Sequence, residues 1–376
     1  MDLISYHDDE IGVIFDNEQK RIFKTTPNIA LKIKNNEEYA NLFAESYMNK
    51  KTDKLSKCEY TIQIILTTAC NLKCRYCYAN GGNYGLSIQN ISFGILDRLI
   101  EYINLNDINK IEFFGGEPLI AFDEMKYILS KLKNNKNIHY AIVTNLTCLT
   151  EEMVSIFKDY PISITVSLDG PEIVNDKNRY FKNGMGTFKT VCNNINLLME
   201  NDICVNLIEC TYGIYHQKYN ISRSAIKEYF RNLFPNTCVL ICNEENENCI
   251  ADYNVIEEDC EFFWFEKRKS NICGAGRTAF TVCPNGDIYP CQKFVGKRQY
   301  FMGNILNYNS INQTNILKDV DNLEQQLNCK ECTARNGCAR CLDELLKMPA
   351  NKLCQMCENI RAINEKQIIN YIKDTF

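Results

Sequence analysis

The chain has 376 residues, of which 21 are Cys and only 3 are His, and a formal charge of −5. The length suits two domains or one large barrel with an appendage, and 45% apolar residues can build a core without disulfide staples. The mild negative charge without a dense basic tract excludes nucleic acid as an expected partner.

No uncharged apolar run is long enough to cross a bilayer, so no membrane partner is expected either. The acidic start, Met1–Glu10, lacks the basic segment of a secretory signal. A cytoplasmic location is expected, where cysteines serve metals or catalysis more often than disulfides.

In chain order, Ile11–Asn17 and Gln19–Lys24 read as a two-stranded hairpin, and Ile29–Met48 as mostly helical. This 1–57 unit is too short to be a robust domain alone. Short apolar runs then alternate with stretches of helical period. The predicted strands are Thr61–Leu66, Ile111–Phe114, Tyr140–Val143, Ile164–Val166, Val205–Ile208 and Val239–Ile241. The predicted helices are Ile91–Ile103, Glu124–Lys133, Glu151–Lys158, Phe188–Glu200 and Ser222–Phe234. Such alternation implies a parallel sheet, and six units imply an α/β fold, a partial (β/α)6 TIM-like barrel over 58–271. Function in such barrels sits at the carboxyl ends of the strands. From about Ile272 the alternation stops, and a Cys-rich α+β extension fills 272–376.

The first strand runs into Thr68-Ala-Cys70-Asn-Leu-Lys-Cys74-Arg-Tyr-Cys77-Tyr78. Three thiolates at this spacing can hold three irons of a [4Fe–4S] cube and leave the fourth iron open to a small molecule. A zinc knuckle is the alternative, but zinc sites usually show CxxC pairs rather than a tight triplet. After the next strand stands Gly115-Gly116-Glu117-Pro118. Two glycines there let the backbone approach a ligand closely.

Together these motifs resemble the radical S-adenosylmethionine enzymes, in which a [4Fe–4S] cluster on CxxxCxxC binds S-adenosylmethionine and a GGEP element lies beside it. The resemblance implies metal ligands Cys70, Cys74 and Cys77. It implies cofactor contacts from Gly115, Gly116, Glu117 and Pro118, from Asn145 after Thr144, from Ser167 in Ser167-Leu-Asp-Gly-Pro171, from Arg179, and from Tyr76 against the adenine. For the strand-end residues the alternative is capping or turn chemistry, since Asp169-Gly-Pro makes a good turn in any loop. For Tyr76 it is ordinary packing. A reductant such as flavodoxin or ferredoxin is implied as a partner.

The tail reads Cys273-x12-Gly286-x4-Cys291, then Cys329-x2-Cys332-x5-Cys338-x2-Cys341, then Cys354-x2-Cys357. Pro284-Asn-Gly-Asp287 suits a tight hairpin reversal. The pattern resembles the SPASM extension of radical enzymes that modify peptides and proteins, which carries up to two auxiliary [4Fe–4S] clusters. By that resemblance Cys273, Cys291 and Cys341 hold the first, and Cys329, Cys332, Cys338 and Cys357 the second, with Cys354 as the alternative last ligand. The x2 gap before Cys341 departs from the usual x3. Zinc-ribbon chemistry remains the other reading of the CxxC pairs. Cys283 is expected to face Ile288 across the hairpin, about 10 Å from Cys291 and too far to share its cube. The other cysteines read as small hydrophobes.

Within the resemblance, sulfatase-maturing enzymes place Asp after the hairpin-closing cysteine, whereas Gln292 stands here. The stretch looks more like maturases of ribosomal peptides, including those installing thioether bonds on Cys-rich precursors. Such enzymes often bind a leader through an N-terminal hairpin-and-helix unit, so 1–57 is either a shortened leader-binding element or a plain cap on the barrel. The expected substrate is a precursor peptide. Sulfatase maturation is the alternative, and a non-catalytic iron–sulfur or zinc scaffold is the alternative of another class.

Overall fold

The computed structural model describes residues 3–16, 21–41, 60–244, 273–332, 334, 338 and 340–375. At the N-terminus three strands, not two, form an antiparallel sheet: β1 (Leu3–His7), β2 (Gly12–Asp16) and β3 (Arg21–Thr25), in the order β1-β2-β3. The expected hairpin is β2–β3; β1 escaped the sequence reading because its burial comes from packing. Tyr6, Val13 and Ile14 are all buried. The β1–β2 turn is held by the Asp8 carboxylate, which accepts from the Glu10 and Ile11 amides at 2.8 and 2.9 Å. Helix α1 (Pro27–Asn35) is capped by the Thr26 side chain and packs so closely on β2 that a Cβ at Gly12 would lie 2.3 Å from the Thr26 carbonyl oxygen. A second helical stretch is described over 37–41, and the rest of the helical reading to Met48 lies outside the described residues, as do Cys58, Cys249 and Cys260.

The main sheet contains β4 (Thr61–Thr67), β5 (Lys110–Gly115), β6 (His139–Thr144), β7 (Ile162–Ser167), β8 (Val205–Tyr212) and β9 (Cys238–Asn243), each parallel to its neighbour. These match the six predicted strands within a few residues at either end. Helices α2 (Phe93–Leu105), α3 (Phe122–Leu132), α4 (Glu151–Asp159), α5 (Glu172–Asn178), α6 (Phe188–Glu200), α7 (Ile214–Lys218) and α8 (Arg223–Leu233) intervene. Ser92, Thr150 and Ser222 cap α2, α4 and α8, accepting from the Ile95, Met153 and Ala225 amides, each worth about 1 kcal/mol. One face of the strands (Ile62, Ile64, Leu66, Ile111, Phe113, Ile142, Ile164, Val166) joins Leu96, Leu99 and Ile103 of α2 and Met125, Ile128 and Leu129 of α3 in a single core. Each such side chain contributes about 1.5–3 kcal/mol on burial. Among the described residues the sheet stays open and ends at β9, the arc of an incomplete barrel.

The sheet does not stop where the alternation stops. Strand β10 (Ala279–Val282) lies parallel to β4, with Ala279 opposite Thr61 and Val282 opposite Ile64, and β11 (Asp287–Tyr289) and β12 (Gly303–Asn304) follow antiparallel. The expected hairpin is therefore present, with Gly286 at φ +85°. Val282, rather than Cys283, faces Ile288. Cys283 is fully buried, and burial pushes its thiol well above the usual range.

Two compact units result. One holds the sheet of β4–β12 and its helices, so 275–316 of the Cys-rich stretch belongs with the barrel strands. The other contains β1–β3, α1, Cys273, and the chain from Leu317, including α10 (Leu342–Lys347) and α11 (Ala350–Thr375). Helix α9 (Thr314–Gln326) begins in the first unit and continues into the second. Among the described residues no helix is long and apolar enough to cross a membrane.

Candidate active site at the strand ends

The three-cysteine loop leaves the carboxyl end of β4 and is held along its length. The Lys73 and Arg75 amides donate to the Tyr180 and Asn178 carbonyls at 2.8 and 2.9 Å, and Leu72 is buried. The Arg75 guanidinium forks onto the buried Glu244 carboxylate, just after β9, at 2.8 and 2.5 Å, a bidentate geometry specific to arginine. It also donates to the Asn178 side-chain oxygen. The Asn178 Nδ2 is a buried donor with no partner among the described residues.

The Cys70 sulfur accepts from the Leu72 amide at 3.5 Å and from Asn145 Nδ2 at 3.9 Å. The Arg179 charge acts on the Cys74 thiol and opposes the effect of its burial. Burial pushes the Cys70 thiol up to about 12 and the Cys74 thiol up to about 11. Bare thiols here stay protonated, and a metal that binds must displace the protons.

The glycines of the second motif hold β5 against this loop. A Cβ at Gly116 would stand 2.3 Å from the Ala69 carbonyl oxygen, and one at Gly82 would stand 2.5 Å from the Gly116 Cα and 2.9 Å from the Cys70 Cβ. The Gly116 and Glu117 amides donate to the Thr67 and Ala69 carbonyls, both at 2.9 Å. The Gly115 carbonyl accepts from the Tyr84 hydroxyl at 3.2 Å. The close approach expected of a ligand is thus made first by the chain itself. Those two amides are committed to the cysteine loop.

Glu117 is 1% exposed. Its carboxylate accepts from Thr144 Oγ1 at 2.6 Å, the Asn145 amide at 2.7 Å and the Leu119 amide at 3.1 Å, tying the end of β5 to that of β6. Pro118 opens the short turn that follows. Burial outweighs the three donors and raises the Glu117 carboxyl to about 7 from an ordinary 4.5. Its contribution is therefore complete below the unfolded pKa and is lost as pH rises through 7. Glu117→Gln gives up one of the three acceptor bonds but never ionises. The stability lost on this substitution should be smaller at about pH 8 than at about pH 5. Urea midpoints of both proteins read this, and an unchanged difference rejects it.

Asn145 Nδ2 also donates to Asn71 Oδ1 at 3.0 Å, and Asn71 donates to Thr147 Oγ1 at 2.7 Å. Asn145 thus braces the loop as well as its first thiol. Ser167 ends β7 in register with Glu209. Arg179 follows α5 and donates from Nε to Asp169 Oδ1 at 3.1 Å, with its guanidinium 5.2 Å from the Tyr76 ring centroid. The Tyr76 hydroxyl donates to Asp169 Oδ2 at 2.5 Å.

Asp169 is fully buried and is a hub of hydrogen bonds, beyond the turn chemistry that the sequence offered as the alternative to cofactor contact. Besides Arg179 and Tyr76 it accepts from the Thr211 amide at 3.0 Å, and its carbonyl accepts from His216 Nε2 at 2.8 Å. The Gly213 amide donates to His216 Nδ1 at 3.2 Å, so the buried ring is a neutral Nε2–H tautomer, its pKa lowered chiefly by burial. Glu244 carried no sequence signal of its own, because its partner Arg75 is distant in the chain.

In the other unit, Cys329, Cys332, Cys338 and Cys357 line one cavity with Leu327, Arg340, Leu345, Met356 and Ile360. Cys354, three residues before Cys357 on α11, is exposed. The Cys273 sulfur accepts from the Leu342 amide at 3.4 Å, and the Cys273 amide donates to the Arg340 carbonyl, which brings Cys273 to Cys341. Cys291 follows β11 and is partly buried. Among the described residues no three His, Cys, Asp or Glu side chains converge at the spacing of a single metal ion.

The donor chemistry suits the groups that these motifs imply: three sulfurs on one braced loop, a glycine cradle that a Cβ would fill, and a four-thiol cavity. The family model of the Radical SAM superfamily matches residues 64–221. The chain is 25% identical over 366 residues to the cysteine-type anaerobic sulfatase-maturating enzyme of Clostridium novyi, covering 81% of this chain and 95% of that protein. It is 23% identical over 267 residues to the antilisterial bacteriocin subtilosin biosynthesis protein AlbA of Bacillus subtilis, covering 65% of this chain and 58% of that protein. The solved structure of native anSMEcpe with bound AdoMet shares the fold, with a TM-score of 0.65 at 19% identity, covering 84% of this chain and all of that one. The arc of parallel strands, the thiol loop at its carboxyl edge and these likenesses agree, and the chain belongs to the radical SAM superfamily of enzymes, among relatives that are maturases.

Proposed function

We propose that this enzyme matures a ribosomally made, Cys-rich precursor peptide by forming thioether crosslinks. The observation that carries the radical chemistry is the loop of Cys70, Cys74 and Cys77, braced by Gly116, Asn145 and Arg75 at the strand ends. Its three thiolates would hold a [4Fe–4S] cluster. Gly115, Gly116, Glu117, Pro118, Asn145, Ser167, Arg179 and Tyr76 form the surroundings of S-adenosylmethionine. When bound, that pair of cofactors supplies the 5′-deoxyadenosyl radical, with the electron delivered by flavodoxin or ferredoxin. Cys273 and Cys341 are read as ligands of one auxiliary cluster, and Cys329, Cys332, Cys338 and Cys357 as those of a second. The 1–57 unit is read as a shortened leader-binding element.

In thioether formation a hydrogen atom leaves an acceptor carbon, a substrate sulfur bonds to that carbon, and one proton and one electron depart. The reading is supported by Gln292, which follows Cys291 where a carboxylate would mark sulfatase maturation. The Gln292 Oε1 is buried with no partner among the described residues, a costly state for an acceptor that a peptide N–H would relieve. Sulfatase maturation is the second reading, favoured by the alignment over 95% of a sulfatase-maturating relative.

Anaerobic turnover with reductant and S-adenosylmethionine separates them, with a synthetic Cys-rich peptide and a synthetic cysteine-type sulfatase peptide as substrates. The expected product is the Cys-rich peptide lighter by two hydrogens and resistant to thiol alkylation. An aldehyde formed only on the sulfatase peptide would transfer the assignment to the second reading. Absence of 5′-deoxyadenosine with either would leave a scaffold protein.

A further inference from the structure

The four-thiol cavity contains a feature that ligand spacing does not require. Arg340, between Cys338 and Cys341 in sequence, lines the cavity together with Cys338, and its charge acts on that thiol. Its Nε–H is nevertheless buried with no partner among the described residues. An unmatched donor on a cationic group is costly in a dry site. Arg361 stands one turn beyond Cys357 on α11, and its charge acts on the Cys332 thiol. Two guanidinium groups therefore attend two of the four thiols, and arginine keeps its charge at any working pH. Glu358, on the same helix, acts on Arg361 by its charge and offsets part of it, which leaves the larger share to Arg340.

A cube on four thiolates carries net negative charge, and each added electron deepens it. Hydrogen bonds to sulfur and nearby positive charge favour the reduced form. We propose that Arg340 and Arg361 are tuning residues that raise the reduction potential of a [4Fe–4S] cluster at Cys329, Cys332, Cys338 and Cys357. No bond is made or broken at this site; the oxidised cluster takes up one electron. The inference rests on the proposed ligand set, and the experiment separates the two.

Full-length reconstituted protein is titrated anaerobically against mediators, following the electron paramagnetic resonance signal that Cys357→Ala removes. Arg340→Met should lower the reduced-to-oxidised ratio at a fixed potential about tenfold, which for one electron is about 59 mV. Arg361→Met should lower it less, and Arg340→Lys should restore part of the loss. Iron and sulfide are measured on each protein. Unchanged ratios with intact iron overturn the arginine assignment alone. Iron content in Cys357→Ala equal to that of the parent overturns the ligand set and the tuning with it. If Arg340→Met loses iron, Arg361→Met and Arg340→Lys decide, and no shift in either rejects the proposal.

Discussion

Cys70→Ala is expected to abolish 5′-deoxyadenosine release and to lower iron content by about four atoms per chain, the complement of one [4Fe–4S] cluster. The site gives Cys70 more than a share of the metal. It is the first thiol after β4, a Cβ at Gly82 would crowd its side chain, and its sulfur meets two N–H donors. Two remaining thiols leave the cube short of a corner, and a substituted side chain has no room to compensate. Cys148→Ala is the matched control. That thiol stands near enough to Cys70 and Glu117 to feel their charge, yet it lies outside the triplet. Iron analysis and product chromatography read both proteins. A Cys70→Ala enzyme that keeps its iron and still cleaves S-adenosylmethionine would remove the triplet from the chemistry.

Asp169→Ala is expected to destabilise the protein by about 3–5 kcal/mol, the range for breaking a buried ion pair from one side. The carboxylate is fully buried, and its Arg179 partner is only 12% exposed at the side chain. Removing it strands a guanidinium, the Tyr76 hydroxyl and the Thr211 amide together. Asp169→Asn keeps an acceptor but not the charge, and should cost less than Asp169→Ala. Adding Arg179→Met to Asp169→Ala should return part of the loss, because the stranded charge is gone. Denaturant unfolding followed by circular dichroism measures the set. An alanine variant within about 1 kcal/mol of the parent would refute the hub role, since that is the ordinary effect of a point mutation.

The six strands and five of the intervening helices were legible because their signals are local. Apolar runs such as Thr61–Leu66 alternate with stretches of helical period, as in Phe188–Glu200, and burial of the matching face confirms the pattern. The triplet and the glycine motif were legible for the same reason, since spacing and strand ends are properties of short segments. What those residues do was less so. The glycines point to close backbone approach, but their nearest contact is the cysteine loop itself.

Sequence alone thus determined the parallel α/β arc, the thiol triplet at its carboxyl edge and the hairpin before Cys291. Tertiary structure alone decided the rest. It paired β10 with β4 across more than two hundred residues, set Glu244 against Arg75 and gathered Tyr76, Arg179 and Thr211 on Asp169. It also turned Cys357 rather than Cys354 toward the other three thiols. The reason is physical: periodicity and spacing are written in neighbouring residues, whereas a buried charge finds its partner, and a helix chooses its inner face, only when distant segments pack and exclude water.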